Sequence, residues 1–232
     1  MSESLTVQTA DGAFQAYVAR PATPGPHPAV VVIQEIFGVN AVVRGVADAL
    51  AGQGFLAVAP DLFWRLEPGV DITDQSEAEW KQAFALMNAF DVDKGVEDIA
   101  AVIAQVRGDE GCTGKVGAVG YCLGGLLAFL TATRTDSDAS VSFYGVGIEN
   151  RTAEADKLAR PYLMHIAEED SFVPKAAQAQ IQAALGAHPQ ITIHTYPGRN
   201  HAFARPGGEH FHAEDAHAAN NRTLDFFRSH LA

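Results

Sequence analysis

The sequence lacks the cysteine pattern of a metal-binding or disulfide-stabilised protein. Only two cysteines occur among 232 residues, Cys112 and Cys122, and they do not form a CxxC pair. This spacing gives little support to a structural metal site or a dithiol redox centre. A disulfide between them is not expected either, because the predicted strand at residues 115–119 separates them by about 16 Å, which is beyond disulfide reach.

Long apolar runs and excess positive charge are also missing. The apolar runs are far shorter than a membrane span, and Met1-Ser2-Glu3-Ser4 has neither the basic start nor the apolar core of a signal peptide. With 16 Lys and Arg against 28 Asp and Glu, the net charge of −12 would repel nucleic acid and anionic membrane. We therefore expect a cytoplasmic protein with neither of these partners.

The composition that is present suits one α/β domain over residues 1–232. Apolar residues make up 47% of the chain and charged residues 19%, ordinary values for a globular protein with a large core. Apolar runs alternate with helical patterns, which predicts a mostly parallel sheet with helices on both faces. After a hairpin at Asp11-Gly12, we predict strands at 29–33, 55–59, 115–119, 140–144, 162–166 and 191–195, and helices at 39–53, from 76, at 92–106, after 122, from 174 and from 213.

The most informative segment is Gly120-Tyr121-Cys122-Leu123-Gly124-Gly125, between a predicted strand and a predicted helix. It matches the G-x-S-x-G pattern of a nucleophile elbow, with sulfur in place of oxygen. A cysteine at a helix N-terminus lies where the helix dipole and free N–H groups favour the reactive thiolate. The segment predicts that Cys122 is a nucleophile, whereas Cys112 is expected to be inert.

A thiol nucleophile needs a base and an acid that orients the base. In the hydrolase arrangement that uses such an elbow, the chain order is nucleophile, acid, histidine. His201 follows a late strand and precedes the last helix, so it is the expected base. At the end of the strand at 162–166, Asp170 closes the loop before the next helix and is the expected acid, with Glu169 in reserve.

The other histidines of the sequence have plainer interpretations. His165 and His194 lie within predicted strands and are expected to have structural roles, while His27, His188 and His230 are expected at the surface. His210, His212 and His217 form a cluster with Glu214 and Asp215 that resembles a metal site. His210 and His212 are only two residues apart near a helix start, so their side chains would point in different directions. A solvated loop without a metal ion is therefore expected.

Glu35 lies two residues beyond the apolar strand at 29–33, in the loop Gln34-Glu35-Ile36-Phe37-Gly38-Val39-Asn40. In this fold that loop supplies one N–H of the oxyanion hole. A helix-capping or ion-paired glutamate is the simpler interpretation. A carboxylate between apolar residues at the sheet edge is nevertheless expected in the site, because burial would suit it to proton transfer.

The sequence contains five motif segments, at residues 34–40, 120–125, 144–147, 170–174 and 201–205. Together they resemble the dienelactone hydrolases, also called carboxymethylenebutenolidases, an α/β-hydrolase family. The resemblance implies that Cys122 is the nucleophile, His201 the base and Asp170 its orienting acid. Glu35 would hold the resting thiol neutral and accept its proton when substrate binds, and the N–H groups of Ile36 and Leu123 would form the oxyanion hole.

The resemblance also implies a substrate and a binding site. The family opens dienelactones to maleylacetate in bacterial catechol degradation, as a cytoplasmic and typically monomeric enzyme without metal or organic cofactor. Arg205 matches one of the arginines that the family places around the substrate carboxylate, and Tyr144 lies in a matching segment. In the other arginine position this chain has Trp80, with Lys81 beside it. Trp80 cannot form a bidentate pair with a carboxylate, and Lys81 could supply a point charge only if it faces inward.

Three functions are therefore kept open. The first is hydrolysis of activated lactones or esters, with a dienelactone as the expected substrate. The second is a thioesterase or broad carboxylesterase activity of the same residues. The third belongs to another class, a protein of this fold that binds a small ligand without turnover, and the joint presence of Cys122, Asp170, His201 and Glu35 argues against it.

Overall fold

The computed structural model of the chain describes residues 2–232, and its eight strands form one sheet. The strands are β1 (Ser2–Thr9), β2 (Gly12–Ala19), β3 (His27–Ile33), β4 (Leu56–Pro60), β5 (Cys112–Tyr121), β6 (Ala139–Phe143), β7 (Tyr162–Ala167) and β8 (Ile191–Tyr196). Their order across the sheet is β1-β2-β4-β3-β5-β6-β7-β8. β2 pairs antiparallel with β1 and β4, whereas β3 with β4, β6 with β7 and β7 with β8 are parallel. The predicted mostly parallel sheet is confirmed.

Helices occupy the stretches between most strands, as the sequence pattern predicted. Local caps explain several starts: the side chains of Asn40, Ser76 and Asp91 accept hydrogen bonds from N–H groups in the first turns of the helices they precede. The predicted ends differ from the observed ones by only a few residues. The helices are α1 (Ala41–Gly52), α2 (Glu77–Ala89), α3 (Val92–Arg107), α4 (Leu123–Arg134), α5 (Lys175–Leu185) and α6 (Ala213–Leu231), with short 3-10 helices at Ile148–Asn150 and Thr152–Lys157.

The chain divides into two compact units, with the boundary between Ala118 and Val119 inside β5. In the first unit, residues 29–33 of β3 are wholly buried, as expected for a β-branched run inside a parallel sheet. The buried residues of α1 recur every three or four positions, so one stripe of this helix faces the core. They are Val43, Ala47, Leu50 and Ala51.

In the second unit, α4 is buried on every side. Residues 123–133 are all buried, and every residue of β6 and of β7 is buried too. A helix that is apolar all round belongs in the interior of a protein, and this one directly follows Cys122. The predicted nucleophile is therefore attached to the most deeply buried helix of its unit. The assignment of residues 1–232 to a single domain stays a prediction.

Between residues 2 and 232, no helix is both long enough and apolar enough to cross a membrane.

Candidate active site

Cys122 occupies a strained backbone position at the turn between β5 and α4. Its φ is +55° and its ψ is −116°, a combination that residues other than glycine rarely adopt. A Cβ on Gly120 would overlap the carbonyl oxygen of Gly124. A Cβ on Gly125 would come within 2.6 Å of the Gly145 Cα. The strand and the helix can therefore approach so closely only because these positions are glycine.

Backbone hydrogen bonds hold the turn in place. The Cys122 N–H donates to the Phe143 carbonyl at the end of β6 over 3.1 Å. The Cys122 carbonyl accepts from Gly125 at 2.9 Å and from Val146 at 3.3 Å. Leu123, the predicted oxyanion-hole donor of this unit, is the first residue of α4, a position whose N–H has no acceptor within the helix. The thiol and this N–H thus belong to one rigid turn.

Asp170 is the carboxylate that contacts His201. The His201 Nδ1 lies 3.0 Å from each carboxylate oxygen of Asp170, and both side chains are buried. Asp170 Oδ1 also accepts hydrogen bonds from the N–H groups of Phe172 at 2.8 Å and Val173 at 3.1 Å. Because an ionised carboxylate only accepts, Nδ1 carries a proton, and Nε2 is the nitrogen left to act as a base.

Glu169, the reserve acid, points elsewhere. Its side chain is exposed and pairs with the Lys175 ammonium at 2.8 Å. The neighbouring Glu168 accepts a hydrogen bond from the Gly198 N–H at 3.0 Å. Of the three acidic residues after β7, the structure thus brings Asp170 to the histidine and directs the other two to different partners.

A hydrogen bond also joins the Cys122 thiol to the His201 imidazole. Burial by itself lowers the pKa of His201, but the charge of Cys122 and the hydrogen bonds with Asp170 and Cys122 outweigh it and raise this pKa to about 10. A proton that leaves the thiol therefore has a stable place on the imidazole. Asp170, His201 and Cys122 form one hydrogen-bonded chain, the arrangement of an activated nucleophile.

The rings of two aromatic residues flank His201. Tyr144 packs edge-on against the imidazole with 5.0 Å between ring centroids, and Phe172 does so at 4.8 Å. Tyr144, a predicted substrate-binding residue, itself has a positive φ of 38° and donates its N–H to the His165 carbonyl at 2.8 Å. The imidazole that contacts Asp170 and Cys122 is therefore packed against two aromatic rings.

Glu35 and Ile36 lie buried in the loop after β3, in the first unit. The loop is held on both sides. Gln34 Oε1 accepts from the Leu62 N–H at 3.0 Å, and the Asn40 side chain donates to the Ile72 carbonyl at 2.9 Å. The predicted gate and the predicted oxyanion-hole donor therefore sit on a fixed loop.

The predicted substrate-binding residues of α2 differ in exposure. The Trp80 ring packs edge-on against Phe37 at 5.1 Å and stacks on Phe84 at 5.4 Å, and its indole N–H donates to the Asp74 carbonyl at 3.0 Å. Lys81 is exposed. Trp80 thus belongs to an aromatic cluster with the loop of Glu35, while Lys81 extends from the helix into solvent.

Arg205, the predicted carboxylate-binding residue, is half-buried in the loop between β8 and α6. Its backbone N–H donates to the Ala202 carbonyl at 2.9 Å, and its backbone carbonyl accepts from the Gly208 N–H at 3.2 Å. Ala202 has a positive φ of 60°, so the chain turns sharply directly after His201. The turn keeps Arg205 within the short segment that also carries His201.

The cluster of histidines around the start of α6 has local partners. His212 caps this helix, accepting from the Asp215 N–H at 3.3 Å, and His217 contacts the Asn221 side chain at 2.9 Å. His210 lies 3.3 Å from the Asn200 amide. In the part of the chain from residue 2 onward, no group of three or more metal-ligating side chains is close enough together to hold an ion.

Sequence reasoning missed two residues that hold the loops of Asp170 and His201 in place. Asn200 Oδ1 accepts from the N–H groups of Ser171 at 2.9 Å and His201 at 2.7 Å, which ties the acid loop to the base loop. The buried Gln178 amide donates to three carbonyls around the acid loop, the shortest bond being 2.8 Å to Val173. Asn200 directly precedes the predicted base, which was a usable signal, whereas nothing local marks Gln178.

A mostly parallel sheet with a cysteine at a strained strand-to-helix turn, followed in the chain by an aspartate and a histidine that contact each other, is the arrangement of an α/β hydrolase. The chain belongs to the dienelactone hydrolase family, whose model matches residues 14–231. Membership makes the protein a carboxylic ester hydrolase.

Individual relatives agree with this assignment over nearly the whole chain. The chain is 52% identical to a candidate carboxymethylenebutenolidase of Azospirillum brasilense, covering 95% of each sequence. It is 41% identical to the carboxymethylenebutenolidase of Pseudomonas putida, covering 97% of this chain and 96% of the relative. A crystal structure of a candidate dienelactone hydrolase from Klebsiella pneumoniae superposes with a TM-score of 0.86 at 26% identity, covering 98% of both chains. The predicted family and α/β-hydrolase fold are confirmed.

Proposed function

We propose that this protein hydrolyses activated lactones through Cys122 and that its substrate is a dienelactone, opened to maleylacetate in the degradation of chlorinated and other catechols. The observation that carries the proposal is the hydrogen-bonded chain of Asp170, His201 and Cys122 at a strained turn. The name of the Pseudomonas putida relative, carboxymethylenebutenolidase, supports the choice of substrate.

The reaction runs in two halves. The Cys122 sulfur attacks the lactone carbonyl carbon while its proton goes to His201, and the ring C–O bond then breaks to give a thioester. The leaving group is an enolate, which departs without strong assistance from an acid and then takes the proton from His201, so that the imidazole is neutral again. His201 next takes a proton from water, the resulting hydroxide attacks the thioester, and the carboxylate product and the thiol are released. Besides the lactone only water is consumed, so no step requires a metal or a cofactor.

The developing negative charge on the carbonyl oxygen needs hydrogen-bond donors. We assign this role to the backbone N–H groups of Leu123 and Ile36. Leu123 supports the assignment through its place as the first residue of α4, where the N–H and the helix dipole favour an anion. Ile36 is assigned from its place in the segment 34–40, which resembles the family.

Glu35 is proposed to gate the thiol. Its burial in a fixed loop and its place in the family-like segment support this role. The carboxylate would keep the resting thiol neutral and, when substrate arrives, accept its proton and pass it to His201. Such a gate makes chemical sense, since a permanently exposed thiolate is readily oxidised.

Glu35→Gln is expected to slow acylation and to change the rate at which iodoacetamide labels the enzyme without substrate. The amide keeps the shape of the side chain but cannot accept the thiol proton. Labelling is measured in a Cys112→Ala background so that only Cys122 reacts, and Glu67→Gln, an exposed glutamate of the same unit, is the matched control. Unchanged acylation and labelling in Glu35→Gln would reduce Glu35 to a structural residue.

Arg205 is proposed to bind the substrate carboxylate, with Lys81 in a lesser role and Trp80 and Tyr144 as apolar walls. Because the family's second arginine position holds Trp80, Arg205 would carry most of the charge recognition. Its half-buried place in the segment after His201 supports this, since partial burial strengthens a charge-assisted hydrogen bond.

Arg205→Ala is expected to lower kcat/KM about ten- to a hundredfold for a carboxylate-bearing dienelactone and to spare a neutral aryl ester of similar reactivity. A charge-assisted hydrogen bond contributes about 1.5–3 kcal/mol, which corresponds to that range. Lys81→Ala should show a smaller bias in the same direction, and Arg228→Ala, an exposed arginine of α6, should show none. Equal losses of Arg205→Ala on both substrates would show that Arg205 does not recognise the carboxylate.

The test of the whole proposal compares cis- and trans-dienelactone with simple aryl esters and thioesters. A kcat/KM far higher for a dienelactone, lost in Cys122→Ala, supports lactone hydrolysis. A preference for aryl esters or thioesters would instead support a broad carboxylesterase or thioesterase with the same triad. Binding without turnover of any of them would support the ligand-binding alternative. We further propose a cytoplasmic monomer, to be checked by cell fractionation and by the mass in solution.

A further inference from the structure

A chain of buried polar side chains lies behind the catalytic histidine in the second unit. His165 of β7 is at its centre, with 1% of its surface exposed. Its Nδ1 lies 2.9 Å from the Tyr196 hydroxyl, and its Nε2 lies 3.0 Å from the Thr223 hydroxyl. Arg222 of α6 donates to the Tyr196 hydroxyl oxygen at 2.9 Å. The chain thus links α6 to both β7 and β8.

The hydrogen bonds of this chain have one consistent direction. The Thr223 hydroxyl donates its single proton to the Ala219 carbonyl at 3.0 Å, so it must accept from His165 Nε2–H. The other ring nitrogen, Nδ1, is then the acceptor for the Tyr196 O–H. Tyr196 in turn accepts from Arg222. Each hydrogen bond between these side chains then has one donor and one acceptor, which fixes His165 as the neutral Nε2–H tautomer.

The surroundings of His165 keep it neutral. Burial, together with the neighbouring charges of His194 and Arg222, places the pKa of His165 well below its ordinary value. Its ring also contacts Phe143 at 4.3 Å and stacks near His194 at 6.0 Å. His165 therefore exchanges no proton in the reaction, and it acts as a fixed part of the interior.

Two routes connect this chain to His201. In the first, the His165 carbonyl accepts the N–H of Tyr144 at 2.8 Å, and the Tyr144 ring packs on the His201 imidazole at 5.0 Å. In the second, the Tyr196 ring packs on Phe203 at 4.6 Å, and Phe203 packs on Tyr144 at 5.7 Å. Both routes end on Tyr144, whose positive φ of 38° persists only while its surroundings hold it.

We propose that the hydrogen-bonded chain of Arg222, Tyr196, His165 and Thr223 is a positioning device that holds Tyr144, and through it the imidazole of His201, in contact with Cys122. The inference rests on the proposed role of His201 as the base. None of the four residues touches the reacting atoms. They act by keeping the base within hydrogen-bond distance of the nucleophile, where a displacement of about 1 Å has a large effect on rate.

Three variants separate the hydrogen bonds from the packing. Thr223→Val keeps the shape but removes the acceptor for His165, and Thr223→Ser restores it. Tyr196→Phe removes the hydroxyl but keeps the ring on Phe203, so it remains informative if Thr223→Val does not fold. The matched control is His194→Asn, which changes the half-buried histidine beside His165 without removing a hydrogen bond of the chain.

For Thr223→Val and Tyr196→Phe we expect kcat to fall roughly ten- to a hundredfold with little change in KM, while Thr223→Ser and His194→Asn stay near wild type. A second readout needs no substrate. NMR titration of the His201 imidazole should show its pKa moving from about 10 toward its ordinary value in the first two variants. In the wild-type protein, ¹⁵N shifts should show His165 as the neutral Nε2–H tautomer.

Other outcomes would overturn the inference. It fails if Thr223→Val and Tyr196→Phe keep the wild-type kcat and the wild-type titration of His201. It also fails if Thr223→Ser or His194→Asn loses as much activity as Thr223→Val, because the effect would then be a general loosening of the interior. An active Cys122→Ala would defeat the proposed function instead, and the titration of His201 would still decide the role of the chain.

Discussion

Cys122→Ala abolishes turnover, and Cys112→Ala leaves it largely intact: this is the largest effect expected from the structure. Cys122 lies at the strained turn and is hydrogen-bonded to His201, whereas the Cys112 sulfur contacts the local backbone of Gly114 and Lys115 at the far end of β5. Loss of a triad nucleophile lowers kcat by several orders of magnitude, about 10⁶-fold in a well-studied protease. The measurement is kcat on a dienelactone with both variants at equal concentration.

The comparison between the two cysteines controls for loss of fold. Alanine and cysteine both carry a Cβ, so the strained φ at position 122 costs the same in the variant and the wild type. Thermal unfolding of Cys122→Ala should therefore stay close to that of the wild type. Activity that survives in Cys122→Ala, or an equal loss in both variants, would exclude Cys122 as the nucleophile.

Asp170→Asn and His201→Gln are each expected to lower kcat by several orders of magnitude, and the double variant no further than His201→Gln alone. Residues that act as one unit have non-additive effects, because the second change removes an interaction that is already lost. Asparagine still accepts the N–H groups of Phe172 and Val173, so the loop should keep its shape. Glu169→Gln, at the exposed carboxylate next to Asp170, is the matched control and should be nearly fully active.

Asp170→Asn is also expected to change how the stability of the folded protein depends on pH. The pKa of His201 is raised in the folded protein to about 10, so its contribution to stability is complete below the ordinary pKa of about 6.5. It is lost as the pH rises from there through about 10. Asp170→Asn removes part of this raising interaction, so its stability should fall less over that range. Full activity in Asp170→Asn together with inactivity in Glu169→Gln would mean that the wrong carboxylate was chosen.

The fold could be predicted largely from local pattern. The run at residues 29–33 is β-branched and continuous, which leaves little choice except a buried strand, and Ser76 marks the start of α2 as a capping residue. The elbow was equally clear, because Gly120 and Gly125 bracket Cys122 between a strand and a helix. Such features depend on residues that are close together in the chain, and a single sequence contains them fully.

The sequence offered less evidence for choosing between Asp170 and Glu169 as the acid than it did for identifying the elbow. Adjacent residues in a loop point in directions that the backbone sets, and here the backbone is fixed from a distance by Gln178 and Asn200. Glu169 consequently turns to Lys175, and Asp170 turns to His201.

By itself the sequence determined the family, the order of strands and helices along the chain, and the three residues expected to form the triad, since motif spacing and periodicity are local. Only the tertiary structure decided which carboxylate meets His201, that Lys81 extends into solvent, and that His165 belongs to a chain reaching α6. Thr223 lies 58 positions from His165. No local pattern relates two such residues, because their contact exists only once the sheet and the last helix have packed together.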